Sequence, residues 1–178
     1  SVDVTEKNRL RSILNIPVDM GVVVMISRML THKGVHEYVA CARAVAENRD
    51  VCFLLVGSVD TGNPASIPQE TLVEWGQMGW VRYLGERSDI RELMAVADIV
   101  ALPSYREGFP RVLLEAAAMG RPIVTTDTPG CRDVVDDGEN GFLVPVRDAG
   151  ALAYAVEKLL GSPDLRAQMG EMARLKAL

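Results

Sequence analysis

No run of apolar residues in this chain approaches the roughly 20 that a bilayer-spanning helix needs. No positively charged start leads into an apolar stretch, so no secretory leader is legible either. Cysteine is scarce and odd in number. Cys41, Cys52 and Cys131 show no metal-ligand spacing, and each sits in or beside an apolar segment. That predicts buried, reduced thiols in a cytosolic protein rather than a disulfide framework. The only histidines are His32 and His36. Four residues apart, they fit one helix face, but no third ligand accompanies them, so no metal is expected. Asp136-Asp137 stands beside Gly138 and reads as turn chemistry rather than a metal pair. An excess of cationic residues is also missing: the net charge is −5, which argues against a dedicated nucleic-acid binder. Internal repeats and low-complexity tracts are absent.

What is present is a core. Apolar residues make up 48% of 178, enough for one folded domain. Gly21 to Ile26 and Val51 to Val56 are continuous β-branched and apolar runs, as expected of strands buried on both faces. Val81 to Leu84, Asp98 to Leu102, Pro122 to Thr126 and Phe142 to Val146 read as four further strands. Helical spacing lies between and after them. It covers Gly34 to Asn48, Gln69 to Gln77, Ser88 to Ala97 (with Ser88 as its cap), Pro110 to Met119, a short Arg132 to Asp136, Asp148 to Leu160 and Asp164 to Leu178. Ser58 to Pro68 is polar, rich in Gly and Pro, and reads as a loop. Strands alternating with helices predict an α/β fold: a doubly wound, parallel, six-stranded, Rossmann-like sheet in a single domain. Residues 1–17 read as a helix or linker from an upstream domain, and 18–178 as the domain itself. The chain opens without methionine and stops within a helical pattern, which predicts a domain cut from a longer protein, truncated at its C-terminal helix.

In such a fold the loops after the strands share one edge, where ligands bind. After the fourth strand comes Arg106-Glu107-Gly108-Phe109-Pro110-Arg111-Val112-Leu113-Leu114-Glu115-Ala116. Gly108 frees the turn for close approach of backbone to a ligand, and Pro110 suits the first helical position. The free N–H groups of the first turn and the helix dipole make an anion site. Glu107 rims it; Glu115 stands further down the helix but leans back toward it. After the first strand, Arg28 and Lys33 flank a short loop and suit a diphosphate. After the third, the main chain near Leu84 and Gly85 offers groups for a base edge, and a plain helix-cap loop reads equally well. After the fifth, Thr126 to Cys131 reads as a simple turn whose Gly and hydroxyls lie within reach of phosphate. A phosphate between polyhydroxyl groups, as in a nucleotide sugar, fits these features together.

The stretch Leu102 to Ala116 resembles the signature of the retaining glycosyltransferases of group 1 (family 4), which are built from two Rossmann-like domains and marked by two glutamates with seven residues between them. Ser27-Arg28 with Lys33-Gly34, Gly120-Arg121-Pro122-Ile123-Val124, and Gly138-Glu139-Asn140-Gly141-Phe142-Leu143-Val144 agree in order, and the likeness runs from about Val22 to Leu160. It implies that Arg28 and Lys33 hold the donor diphosphate. Glu107 binds donor-sugar hydroxyls, and these three form the catalytic set within this half. Backbone at Gly108, Phe109, Pro110, Arg111 and Val112 contacts sugar and phosphate, Glu115 the ribose, and Leu84 and Gly85 the base. It implies the C-terminal, donor-binding half of the enzyme, with no metal or other cofactor. It further implies a saccharide or lipid-linked saccharide acceptor held by an N-terminal domain of the same chain. The motif stretch looks most like enzymes of bacterial cell-surface glycans, placed in the cytoplasm or peripherally at the inner face of the membrane.

Four other readings compete. An epimerase needs more acids and histidines in its cleft, and a phosphorylase needs a pyridoxal-bearing lysine. A dinucleotide oxidoreductase needs Gly-x-Gly-x-x-Gly after the first strand, where Arg28 and Lys33 stand instead. A noncatalytic binding domain on the same fold is the reading from a different class.

Overall fold

The computed structural model describes residues 4–178. Six strands form one parallel sheet in the order β3-β2-β1-β4-β5-β6, the doubly wound Rossmann order. They are β1 (Gly21–Ile26), β2 (Val51–Val56), β3 (Arg82–Tyr83), β4 (Ile99–Leu102), β5 (Ile123–Thr126) and β6 (Gly141–Val144). β1 pairs residue for residue with β2, from Gly21 opposite Val51 to Ile26 opposite Val56. Its other neighbour is β4, with Val23 opposite Ile99. The strand order therefore reverses between β1 and β4, and a crevice opens beyond their carboxyl ends. Val22 to Met25 and all of β4 and β5 are buried, which is why β1 and β4 read as unbroken apolar runs, while buried Thr125 and Thr126 of β5 donate to the carbonyls of Leu102 and Ser104.

The helices are α1 (Val4–Ile13), α2 (Val35–Ala46), α3 (Gln69–Gln77), α4 (Ile90–Val96), α5 (Arg111–Ala118), α6 (Pro129–Arg132), α7 (Ala149–Leu160) and α8 (Pro163–Ala177). α2 packs on α7, α5 on α8, and α1 on α4. α2 is pinned to the sheet by Tyr38, fully buried, whose hydroxyl donates to the carbonyls of Val23 (3.0 Å) and Leu54 (2.7 Å). α1 lies in the segment expected as helix or linker, and it is tied to this domain. Leu10 and Ile16 join the core, and buried Arg11 donates to the carbonyls of Pro17, Val18 and Met20 and pairs with Asp98 at 3.6 Å. Asp98 in turn accepts from the amide of Val22 at 2.9 Å, at the start of β1.

Three local expectations are corrected. α4 is capped at Asp89 rather than Ser88, and without a side-chain cap bond, because Arg87 takes the Asp89 carboxylate in a two-pronged pair at 2.6 and 2.8 Å. Pro110 is the residue before α5 rather than its first: its ψ of 78° is not helical, and its carbonyl accepts from Leu113. The short helix expected over 132–136 starts earlier, at Pro129, because extended Thr128 followed by proline sets its first turn. The three cysteines are free and buried. Burial pushes the Cys41 thiol up to about 12.

Candidate functional site

At the crevice two loops meet. The loop after β1 runs through Ser27 and Arg28 into a 3-10 turn, Thr31–Lys33, and Gly34 then turns the chain into α2. The loop after β4 runs from Pro103 to Pro110. They are riveted together: the amide of Tyr105 donates to the carbonyl of His32 (2.8 Å), and the hydroxyl of buried Ser104 donates to the same carbonyl (3.2 Å). Gly34, at a φ of 80°, lies so close to Pro103 that a Cβ would overlap the Pro103 carbonyl. On the other side Gly130, in the first turn of α6, has no room for a Cβ against the carbonyl of Glu107. The turn carrying Glu107 is thus pressed between two glycine backbones, and the stretch after β5 serves as its backstop rather than as a simple turn.

The consequence is a short contact. Lys33 Nζ donates to Glu107 Oε1 at 2.6 Å, across 74 residues of sequence, with both side chains largely buried. Arg28 lies beside it and pairs with Asp60 from the loop after β2 at 3.5 Å, more openly exposed. Ile26, Ser27, Arg28, Lys33, Leu102, Glu107, Phe109, Pro110, Arg111 and Val112 line one cavity of about 420 Å³. The α5 amides lie along it. The amide of Arg111 is already bonded to the carbonyl of Phe109, and Pro110 has none. From Gly108 to Val112 the amides without a partner are therefore those of Gly108, Phe109 and Val112. Phe109 itself stands 72% exposed at the mouth.

The other expected residues do not share that cavity. Glu115, exposed on α5, lines a neighbouring one of about 480 Å³ with Ser88, Ile90, Arg91, Met94, Ala118 and Met119. Gly85 lines a third with Leu72, Gly76 and Tyr83. The Gly85 carbonyl accepts from the amide of Gly57 (2.9 Å), and Leu84 is bonded back to the carbonyl of Leu55. A larger cavity, about 690 Å³, lies at the opposite edge of the sheet, where Gly21 opens β1. Two of its cations, Arg11 and Arg166, are consumed by main-chain carbonyls. No group of three potential metal ligands occurs among the described residues, and no helix is long and apolar enough to cross a membrane. Sequence reasoning missed Asp60 and Ser104, and read Gly130 for phosphate rather than for its packing on the Glu107 turn. Each acts through a contact distant in sequence, and only the Gly next to a proline offered a local signal.

A doubly wound sheet with a paired cation and carboxylate at its switch point, beside unbonded main-chain amides, is a layout suited to an anionic ligand. The chain belongs to the group 1 glycosyltransferases, whose family model matches residues 21–162. Among curated relatives it is 39% identical over 157 residues to the Campylobacter jejuni N,N'-diacetylbacillosaminyl-diphospho-undecaprenol α-1,3-N-acetylgalactosaminyltransferase, covering 88% of this chain and 40% of that protein. It is 32% identical over 161 residues to the lipopolysaccharide core biosynthesis glycosyltransferase LpsE of Rhizobium meliloti, covering 90% and 46%. Among solved structures, Anabaena HepE in complex with UDP-glucose superposes with a TM-score of 0.88 at 28% identity, over 99% of this chain and 48% of HepE. The chain thus spans less than half the length of these relatives.

Proposed function

We propose that this chain is the nucleotide-sugar-binding half of a retaining glycosyltransferase that adds a sugar to a saccharide acceptor during bacterial cell-surface glycan synthesis. The observation that carries the reading is the meeting of Lys33 and Glu107 at 2.6 Å, from loops after β1 and β4, beside the unbonded amides of Gly108, Phe109 and Val112. A donor diphosphate at this cavity takes Arg28, Lys33 and the amides of Gly108, Phe109 and Val112 as its donors. Glu107 is freed on one oxygen to accept from sugar hydroxyls. As the glycosidic bond breaks, negative charge grows on the departing diphosphate. The cations and the helix dipole are already in place to stabilise it, with no reorganisation to pay at that moment. On this reading Glu115, in a cavity on the same helix, takes the ribose, and the main chain at Leu84 and Gly85 takes the base. The relatives that act on lipid-linked and lipopolysaccharide acceptors support a saccharide acceptor. We assign its contacts to a second domain, and the whole enzyme to the cytoplasmic side of the membrane.

No metal enters this scheme, because protein cations supply the positive charge at the leaving group. Calorimetric titration with UDP and UDP-glucose, with and without chelator, tests the reading. Binding of both, stronger for the sugar-bearing nucleotide and unchanged by chelator, is expected. No binding of either would overturn it.

A further inference from the structure

Two residues before Glu107 stands Tyr105. Its hydroxyl donates to Glu37 Oε1 at 2.7 Å, on the first turn of α2. The other carboxylate oxygen, Glu37 Oε2, is buried with no partner among the described residues. Over the Tyr105 ring lies the guanidinium of Arg147, 4.7 Å from the ring centre. Arg147 reaches it from the loop between β6 and α7 with its backbone in the left-handed region, at a φ of 57°; among the described residues Asn15 is the only other non-glycine with a positive φ. Burial and the Glu37 bond both push the Tyr105 phenol up, so it stays a donor. A bare buried oxygen and a strained arginine are features that a fold keeps when they hold something in place.

What they hold is legible from connectivity. Lys33 lies one residue before Gly34, where α2 is launched, and Glu37 lies in the first turn of that helix. Tyr105 and Glu107 lie in one turn. The phenol bond therefore ties the helix that follows Lys33 to the turn that carries Glu107, and Arg147 closes the ring from a third loop. We propose that Glu37, Tyr105 and Arg147 form a clamp that sets the Lys33–Glu107 register. Tyr105 and Glu37 are then positioning residues for recognition of the donor sugar. None of the three lines the cavity, so they act through Lys33 and Glu107 and not by touching ligand. The inference rests on the reading that this cavity takes a nucleotide sugar.

The test uses this chain and the variants Tyr105→Phe, Glu37→Gln and Arg147→Ala. UDP and UDP-glucose are titrated into each, and the Lys33 ammonium is followed by nitrogen-15 NMR. In Tyr105→Phe the preference for UDP-glucose over UDP is expected to fall by about fivefold, the scale of one misplaced hydrogen bond, while UDP affinity changes less than about twofold. The Lys33 ammonium protons should exchange faster. Glu37→Gln, whose amide oxygen still accepts from the phenol, should keep both properties. A purely structural role would lower the melting temperature and leave the preference and the Lys33 signal untouched; that result overturns the clamp. If Tyr105→Phe does not fold, surface-exposed Arg147→Ala decides by the same two readouts. If the unaltered chain shows no preference for UDP-glucose, the donor reading fails, and the Lys33 signal in the variants still decides the clamp by itself.

Discussion

Lys33 answers to two anions. With no donor bound it neutralises Glu107; on the proposed reading, with a donor bound it also faces phosphate. Removing it therefore has two effects that separate by measurement. Lys33→Ala leaves the Glu107 carboxylate largely buried and unpaired, which costs stability as well as binding. Arg28, exposed and loosely paired, has no such structural burden. Replacing both by alanine should weaken UDP binding by about 2–4 kcal/mol if each makes a charge-assisted bond. Arg28→Ala alone should leave the melting temperature unchanged, and Lys33→Ala should lower it. Unchanged affinity in the double variant, read by calorimetry, would remove the diphosphate assignment. The two glutamates should divide differently. Glu115→Gln is expected to weaken UDP itself, and Glu107→Gln to spare UDP while reducing the preference for UDP-glucose. Equal losses for both ligands in both variants would contradict that division, which the separate cavities of Glu107 and Glu115 motivate.

At the scale of elements, the turn carrying Glu107 depends on backbone contact with α6. Gly130→Ala places a methyl group against the Glu107 carbonyl. The neighbour is main chain, so relief requires the turn or α6 to move, and a loss of about 1–3 kcal/mol is expected by chemical denaturation. The variant should also lose preference for the sugar-bearing donor. A stable variant with unaltered preference would show that α6 is not the backstop. The same elements show what the sequence could and could not reveal. β1, β2 and α3 stand at the residues their patterns indicate, because buried parallel strands carry unmixed apolar runs and α3 is bracketed by Pro68 and Gly79. The start of α4 was misread because Ser88 has the chemistry of a cap, while the deciding contact is Arg87 with Asp89. α6 was misplaced because four residues are too few for periodicity to show. Within the site, residue type and loop position pointed to Arg28, Lys33 and Glu107, which the structure brings to one cavity, and set the start of α5 one residue early. The pairing of Lys33 with Glu107 was not legible, since nothing local in either loop encodes a contact made through the sheet.

The whole molecule should be sensitive to alkali. Burial raises the Cys41 thiol from 9.0 to about 12, and it raises Cys52 and Tyr38 as well. These groups are neutral when protonated. Above pH 9 the unfolded chain releases protons that the folded chain retains, so stability is complete below that pH and declines as pH climbs toward 12. Each such group contributes about 1.4 kcal/mol per pH unit within its window. Urea midpoints at pH 8 and pH 10.5 check this, and a Cys41→Ala variant should show a shallower decline. For catalysis, the assignment of acceptor contacts to a second domain predicts that these 178 residues bind donor without measurable transfer. Positioning of the acceptor oxygen, which can supply several kcal/mol of barrier lowering, is then missing. Turnover of a donor–acceptor pair by this chain alone, at a rate near that of an enzyme with both domains, would contradict it.

The pairing of Arg28 with Asp60 and of Lys33 with Glu107 also bears on how a ligand arrives. Each cation that the diphosphate needs is already matched by a carboxylate, on a chain whose net charge is −5. Such a cavity casts little positive field into solution, so an incoming dianion is not drawn from a distance. Its charges are recognised only after contact, when carboxylates yield to phosphate. Encounter should therefore proceed at an unassisted rate with shallow dependence on ionic strength, and selectivity should reside in how slowly the bound nucleotide leaves.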